Sequence, residues 1–138
     1  MIAVLLALIL AVPQGAAATL PDTPQGKRVA AYLQAFNSGD EKTYFAMQAA
    51  QMLPEAVKRR SPEERAQMFK RLRDDFGTMK VAKVLKASAT EIQVLIPNKE
   101  GIEATFSFSF AADAPFLISG LSVEIERGPG NEAQVTRP

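Results

Sequence analysis

Two periodicities divide the chain near Gly77. Downstream, apolar side chains recur at every second position. Ile102, Ala104, Phe106, Phe108 and Phe110 alternate with Glu103, Thr105, Ser107 and Ser109, which predicts a strand with one face buried and the other wet. Leu121, Val123 and Ile125 alternate with Ser122, Glu124 and Glu126. They predict a last strand, with Gly120 placed for a bulge or bend. Two earlier strands are predicted from Met79 to Lys86, carrying Val81, Val84 and Leu85, and from Glu91 to Ile96, stopped by Pro97. Asn98-Lys99-Glu100-Gly101 is hairpin turn chemistry, and Ala111 to Pro115 reads as a loop.

Upstream of Gly77 the apolar spacing is helical. Thr23-Pro24 supplies an N-cap and a first-turn proline, and Val29, Leu33 and Phe36 follow on one face with Tyr32 beside them. Asn37-Ser38-Gly39 stops that helix, with Gly39 suited to a left-handed C-cap. Asp40 caps a second helix through Glu41 to about Met52, where Tyr44, Phe45, Gln48 and Met52 give a mixed face. Pro54 ends this helix or shifts its axis. Ser61-Pro62-Glu63-Glu64 combines an N-cap serine, a first-turn proline and a capping-box glutamate. It starts a third helix, on which Met68, Phe69, Leu72 and Phe76 share a face before Gly77. Three helices followed by a four-stranded antiparallel meander is the α+β layer solution.

The ends of the chain differ from this body. Ile2 to Val12 is an unbroken apolar run, too short for the roughly 20 residues that cross a bilayer but suited to the core of a secretory signal. Pro13-Gln14-Gly15 and Ala16-Ala17-Ala18 follow, so residues 1–18 are expected to be a cleaved signal peptide. The usual Lys or Arg ahead of the run is missing; a few further residues upstream would supply it. Residues 19–22 read as a linker, 23–127 as the domain, and 128–138, with Gly128-Pro129-Gly130, as a disordered tail. The expected location is exported, periplasmic or secreted. No Cys follows the apolar run to carry a lipid, so no stable membrane anchor is expected after cleavage.

Composition narrows the chemistry. The 120 residues after the signal suffice for one core. Sixteen Lys and Arg stand against fifteen Asp and Glu, a balance that argues against nucleic-acid binding. There is no Cys and no His. Thiol nucleophiles, histidine-based triads and the common zinc sites cannot be built from this chain alone. No motif points to a cofactor or a metal.

Helix, Phe36-Asn37-Ser38-Gly39-Asp40, helix, helix and then a sheet resembles the nuclear transport factor 2-like (cystatin-like) superfamily. Its bacterial members often carry such a turn between the first two helices. Leu20-Pro21-Asp22-Thr23-Pro24, Asn37-Ser38-Gly39-Asp40 and Pro62-Glu63-Glu64-Arg65 also resemble a short domain found ahead of serine-hydrolase and peptidase domains in bacterial exported proteins. The resemblance covers about residues 20–127. It implies three helices on a curved four-stranded sheet that wraps a pocket like a cone. It implies no single activity, since members include enzymes, binding modules and accessory domains.

The candidate site follows from that shape. Phe106, Phe108 and Phe110, with Tyr32 and Phe36 from the first helix, either line a pocket on the sheet or fill an ordinary core. Asp40 could be a pocket acid of the kind that isomerases and dehydratases use, but it sits where a helix N-cap is needed, and N-capping fully accounts for it, so no catalytic residue is assigned. Lys58, Arg59, Arg60, Arg65, Lys70, Arg71 and Arg73 gather positive charge around the third helix, either as a docking patch or as a solvated face balanced by nearby acids. The expected function is an exported, non-catalytic module. It binds a small apolar ligand or an exported partner protein such as a hydrolase or peptidase, as a monomer or homodimer. The alternative is a small isomerase- or dehydratase-like enzyme with a carboxylate in the cone.

Overall fold

The computed structural model describes residues 19–125. The expected signal peptide (1–18) and tail (128–138) lie outside them. The fold is α+β. Helices α1 (Pro24–Asn37), α2 (Glu41–Gln51), α3 (Pro54–Val57) and α4 (Pro62–Phe76) precede strands β1 (Lys83–Ala87), β2 (Glu91–Pro97), β3 (Glu103–Phe110) and β4 (Ile118–Ile125). The strands form one open antiparallel sheet in the order β1-β2-β3-β4.

The caps form where the sequence places them. Thr23 Oγ1 accepts the Gly26 N–H at 3.0 Å. Gly26 is needed because a Cβ there would run into the Pro21 carbonyl oxygen. The expected linker is therefore held against α1, and its Leu20 packs on the core. Gly39, at φ 75°, makes the turn into α2. Both halves of the capping box close at α4: Ser61 Oγ accepts from Glu64 N–H at 3.1 Å, and Glu64 Oε1 accepts from Ser61 N–H at 2.8 Å.

Three boundaries differ from expectation, each for a physical reason. First, there are four helices, not three. The second stops at Gln51 because Met52 makes a parallel bridge to Ile118 and the Leu53 N–H donates to the Ile118 carbonyl at 2.9 Å. Pro54 then starts the one-turn α3 at its first position, where proline is welcome. Second, β1 begins at Lys83 rather than Met79. The Asn37 side chain occupies the Met79 backbone, donating to its carbonyl at 2.9 Å and accepting its N–H at 2.7 Å. Met79 and Val81 are still buried, but in a segment tied to α1 instead of in the ladder. Third, β4 begins at Ile118, ahead of the predicted alternation from Leu121, because it pairs Ile118 with Phe110 as well as Gly120 with Ser109. Ser119 is thus the extra residue of a bulge, beside the glycine that the sequence marked.

The inner face of the sheet meets the helices in one core. Ile92, Val94, Ile96, Ala104, Phe106, Phe108, Phe110 and Ile118 are buried on the strands. Val29, Leu33, Phe36, Phe69, Leu72 and Phe76 meet them from α1 and α4. Edge-to-face pairs such as Phe76 on Phe106 (5.4 Å) and Tyr32 on Phe108 (5.3 Å) tie the layers, each adding about 0.5–1.5 kcal/mol beyond area burial. Burial weakens along β4: Ile118 is buried, whereas Leu121, Val123 and Ile125 are half-buried although they share its apolar face.

Candidate functional site

The half-buried stretch of β4 forms one wall of a cleft of about 650 Å³ that opens to solvent. Gly120, Leu121, Ser122 and Val123 all line it. Four consecutive strand residues can do so only where a cavity wraps the strand's edge, because successive side chains point to opposite faces. The opposite walls come from Tyr44 and Gln48 one turn apart on α2, from Ala56 and Val57 of α3, and from Arg65, Met68 and Leu72 on one face of α4. Arg59 and Arg60 lie at the rim, where Arg59 Nη1 donates to the Ser119 carbonyl at 3.2 Å.

The polar groups in this cleft are mostly donors. Tyr44 Oη–H donates to Tyr32 Oη at 3.1 Å, and both residues are buried. A pair of phenols has two protons and needs one between its oxygens, so one O–H is left for a further acceptor. Burial pushes the Tyr32 phenol well above its ordinary titration range, and Tyr44 beside it adds to the effect. Burial also raises Tyr44, with the bond to Tyr32 opposing it. Gln48 is buried, and its Oε1 accepts from Arg65 Nη1 at 2.9 Å. That fixes the amide oxygen toward the guanidinium and turns the amide NH₂ away. The Arg65 guanidinium carbon also sits 4.7 Å over the Phe45 ring, a cation–π stack that orients the group. Its Nε is shielded from solvent and has no hydrogen-bond partner.

Of the five aromatic residues singled out from sequence, Tyr32 lines the cleft. Phe36, Phe106, Phe108 and Phe110 lie in the packed core and are not among the lining residues. The stripe sits on the inner strands, where α1 and α4 cover it; the cleft sits at the edge, where they do not. Asp40 is exposed at the α2 N-cap, with Oδ2 accepting from Thr43 Oγ1–H at 2.6 Å and from Thr43 N–H at 3.1 Å. Those bonds hold its carboxyl below the ordinary range, opposite to what a proton-donating acid needs. The basic cluster divides. Arg59, Arg60 and Arg65 line the cleft; Arg73 donates to the Phe36 carbonyl at the end of α1 and stacks on the Phe36 ring; Lys70 and Arg71 are exposed.

The sequence pattern does not mark Gln48, Leu121 or Val123 as site residues, and it marks Arg65 only as one member of a basic patch. The mixed face of α2 was the available signal for Gln48. Nothing local distinguishes an edge-strand leucine from a core one. Among the described residues no three acidic, histidine or cysteine side chains come together to hold a metal, and no helix is long and apolar enough to cross a membrane. The chain matches no protein-family model, and no curated protein matches it.

Proposed function

We propose that the chain is an exported, non-catalytic binding module of nuclear transport factor 2-like type, with a cone-like sheet, that holds a small amphipathic molecule in the cleft between β4 and helices α2–α4. The observation that carries this reading is the cleft itself. Its volume of about 650 Å³ lies within the range of small-molecule sites, and its walls are shared between apolar and polar side chains, the lining an amphipathic molecule needs. The resemblance around Asn37-Ser38-Gly39-Asp40 supports a pocketed fold, and the apolar run from Ile2 to Val12 supports export. The enzyme alternative finds less support. Glu64, the carboxylate lining the cleft, is committed to the Ser61 N–H of the capping box.

The test is titration of the purified chain with a neutral, polarity-sensitive apolar dye. Saturable binding is expected. Leu121→Asp, which places a charge on the half-buried wall, is expected to weaken it by about tenfold or more while leaving the circular dichroism unchanged. Binding that ignores Leu121→Asp would place the dye elsewhere and remove the support for the cleft.

A further inference from the structure

Building on the reading of the cleft as a ligand site, we infer that it selects apolar molecules ending in a carboxylate, with that carboxylate seated on the Nε–Nη2 edge of Arg65.

Arg65 Nε is shielded from solvent and has no partner among the protein's own groups. A buried donor on a charged group without an acceptor is costly, and native structures tolerate few of them. The rest of the side chain is fixed: Phe45 stacks on one face of the guanidinium and Gln48 Oε1 takes Nη1. Nε and Nη2 share the opposite edge of the planar group. That edge is the fork that matches the two oxygens of a carboxylate.

The surroundings point to the same chemistry. The spare phenol proton of the Tyr32–Tyr44 pair and the NH₂ of Gln48 are donors in the same cleft, and Arg59 and Arg60 add positive charge at the rim. The one lining carboxylate, Glu64, is spent on the α4 cap. A group rich in acceptors and carrying negative charge is what such a set recognises. Met52, Met68, Leu72, Leu121 and Val123 supply the apolar remainder. Arg65 Nε is shielded as the side chains stand, so a carboxylate reaches it only with a rotamer change in the cleft wall, and the two methionines are its most adaptable lining side chains.

The experiment measures decanoate and 1-decanol binding to the purified chain by calorimetry at neutral pH, with Arg65→Met and with the double variant Arg59→Met/Arg60→Met. The expected result is that decanoate binds wild type about 10–100-fold more tightly than decanol. Arg65→Met is expected to abolish that preference while keeping decanol affinity, which shows that the cleft is still built. Equal binding of the two compounds by wild type overturns acid selection and leaves the cleft reading standing. Binding of neither overturns both. A preference that survives Arg65→Met, or that is lost in the Arg59/Arg60 variant alone, overturns Arg65 as the seat. Should Arg65→Met fail to fold, the wild-type comparison still decides acid selection, and Arg65→Lys, which keeps the charge and loses the fork, decides the seat: retained preference overturns it.

Discussion

Raising the pH interrogates the buried phenols directly, because Tyr32 and Tyr44 are the only tyrosines and the chain has no Trp. They are 1% and 4% exposed and hydrogen-bonded to each other. In the unfolded chain each ionises near the ordinary value of 10.0. In the folded chain both are raised, chiefly by desolvation. A raised folded pKa means that the stabilisation is complete below pH 10 and is lost as pH climbs from there toward the folded values. In that window the unfolded state sheds protons that the native state keeps. Stability falls by about 1.4 kcal/mol per pH unit for each phenol, or about 2.7 for the pair. The loss accumulates only between pH 10 and the folded values, and it counts against the roughly 5–15 kcal/mol of an ordinary domain. The assay follows tyrosinate absorbance and far-ultraviolet circular dichroism on one alkaline titration. The expected outcome is that tyrosinate absorbance stays suppressed past pH 10 and then rises together with loss of helix signal. A smooth rise centred near 10, with the dichroism still native, would refute the reasoning. Tyr44→Phe should cost about 1–3 kcal/mol by leaving the Tyr32 hydroxyl without its partner, while the double Tyr32→Phe/Tyr44→Phe variant should lie closer to wild type and lose the alkaline slope.

Two further perturbations test the frame. Asn37→Ala removes both bonds to the Met79 backbone. Water can replace part of them at this exposed side chain, so a loss of about 1–2 kcal/mol is expected, read as a lower urea midpoint at unchanged slope; an unchanged midpoint would mean that Asn37 does not stand in for a strand partner. Phe108→Ala, at a fully buried position touching Tyr32 at 5.3 Å between centroids, should cost about 3–5 kcal/mol. A loss below about 1 kcal/mol would place Phe108 on a wall rather than in the core.

The elements that carry their own punctuation were legible. Ser61-Pro62-Glu63-Glu64 fixed the start of α4 because its capping bonds are local, and strict alternation marked β3 because one face is buried along its whole length. The misjudged parts depend on distant partners. Nothing near Met79 shows that Asn37 binds its backbone, and nothing near Met52 shows that Ile118 does. The site was harder for the same reason. Phe106 and Leu121 belong to equivalent alternating patterns, and only sheet order decides that one is covered and the other forms a wall. Arg65 looked like part of a solvated charge run until the fold placed Gln48 and Phe45 against it.

The bulge at Ser119 has a consequence for how the molecule keeps company with its own copies. Among the described residues, β4 is the last strand of the sheet, and past the bridge at Ile118 no strand covers its outer side. A bare edge of this kind is a template on which any extended chain can add itself, which is the first step of strand-to-strand aggregation. Here the bulge twists the ladder where the cover ends, Arg59 lies across the Ser119 carbonyl, and Arg60 stands beside it at the rim. An arriving strand would have to displace an arginine and bring backbone alongside positive charge. The arginines that frame the mouth of the cleft therefore also guard the sheet's open side, and removing their charge exposes the protein to self-association as well as to a change in what it binds.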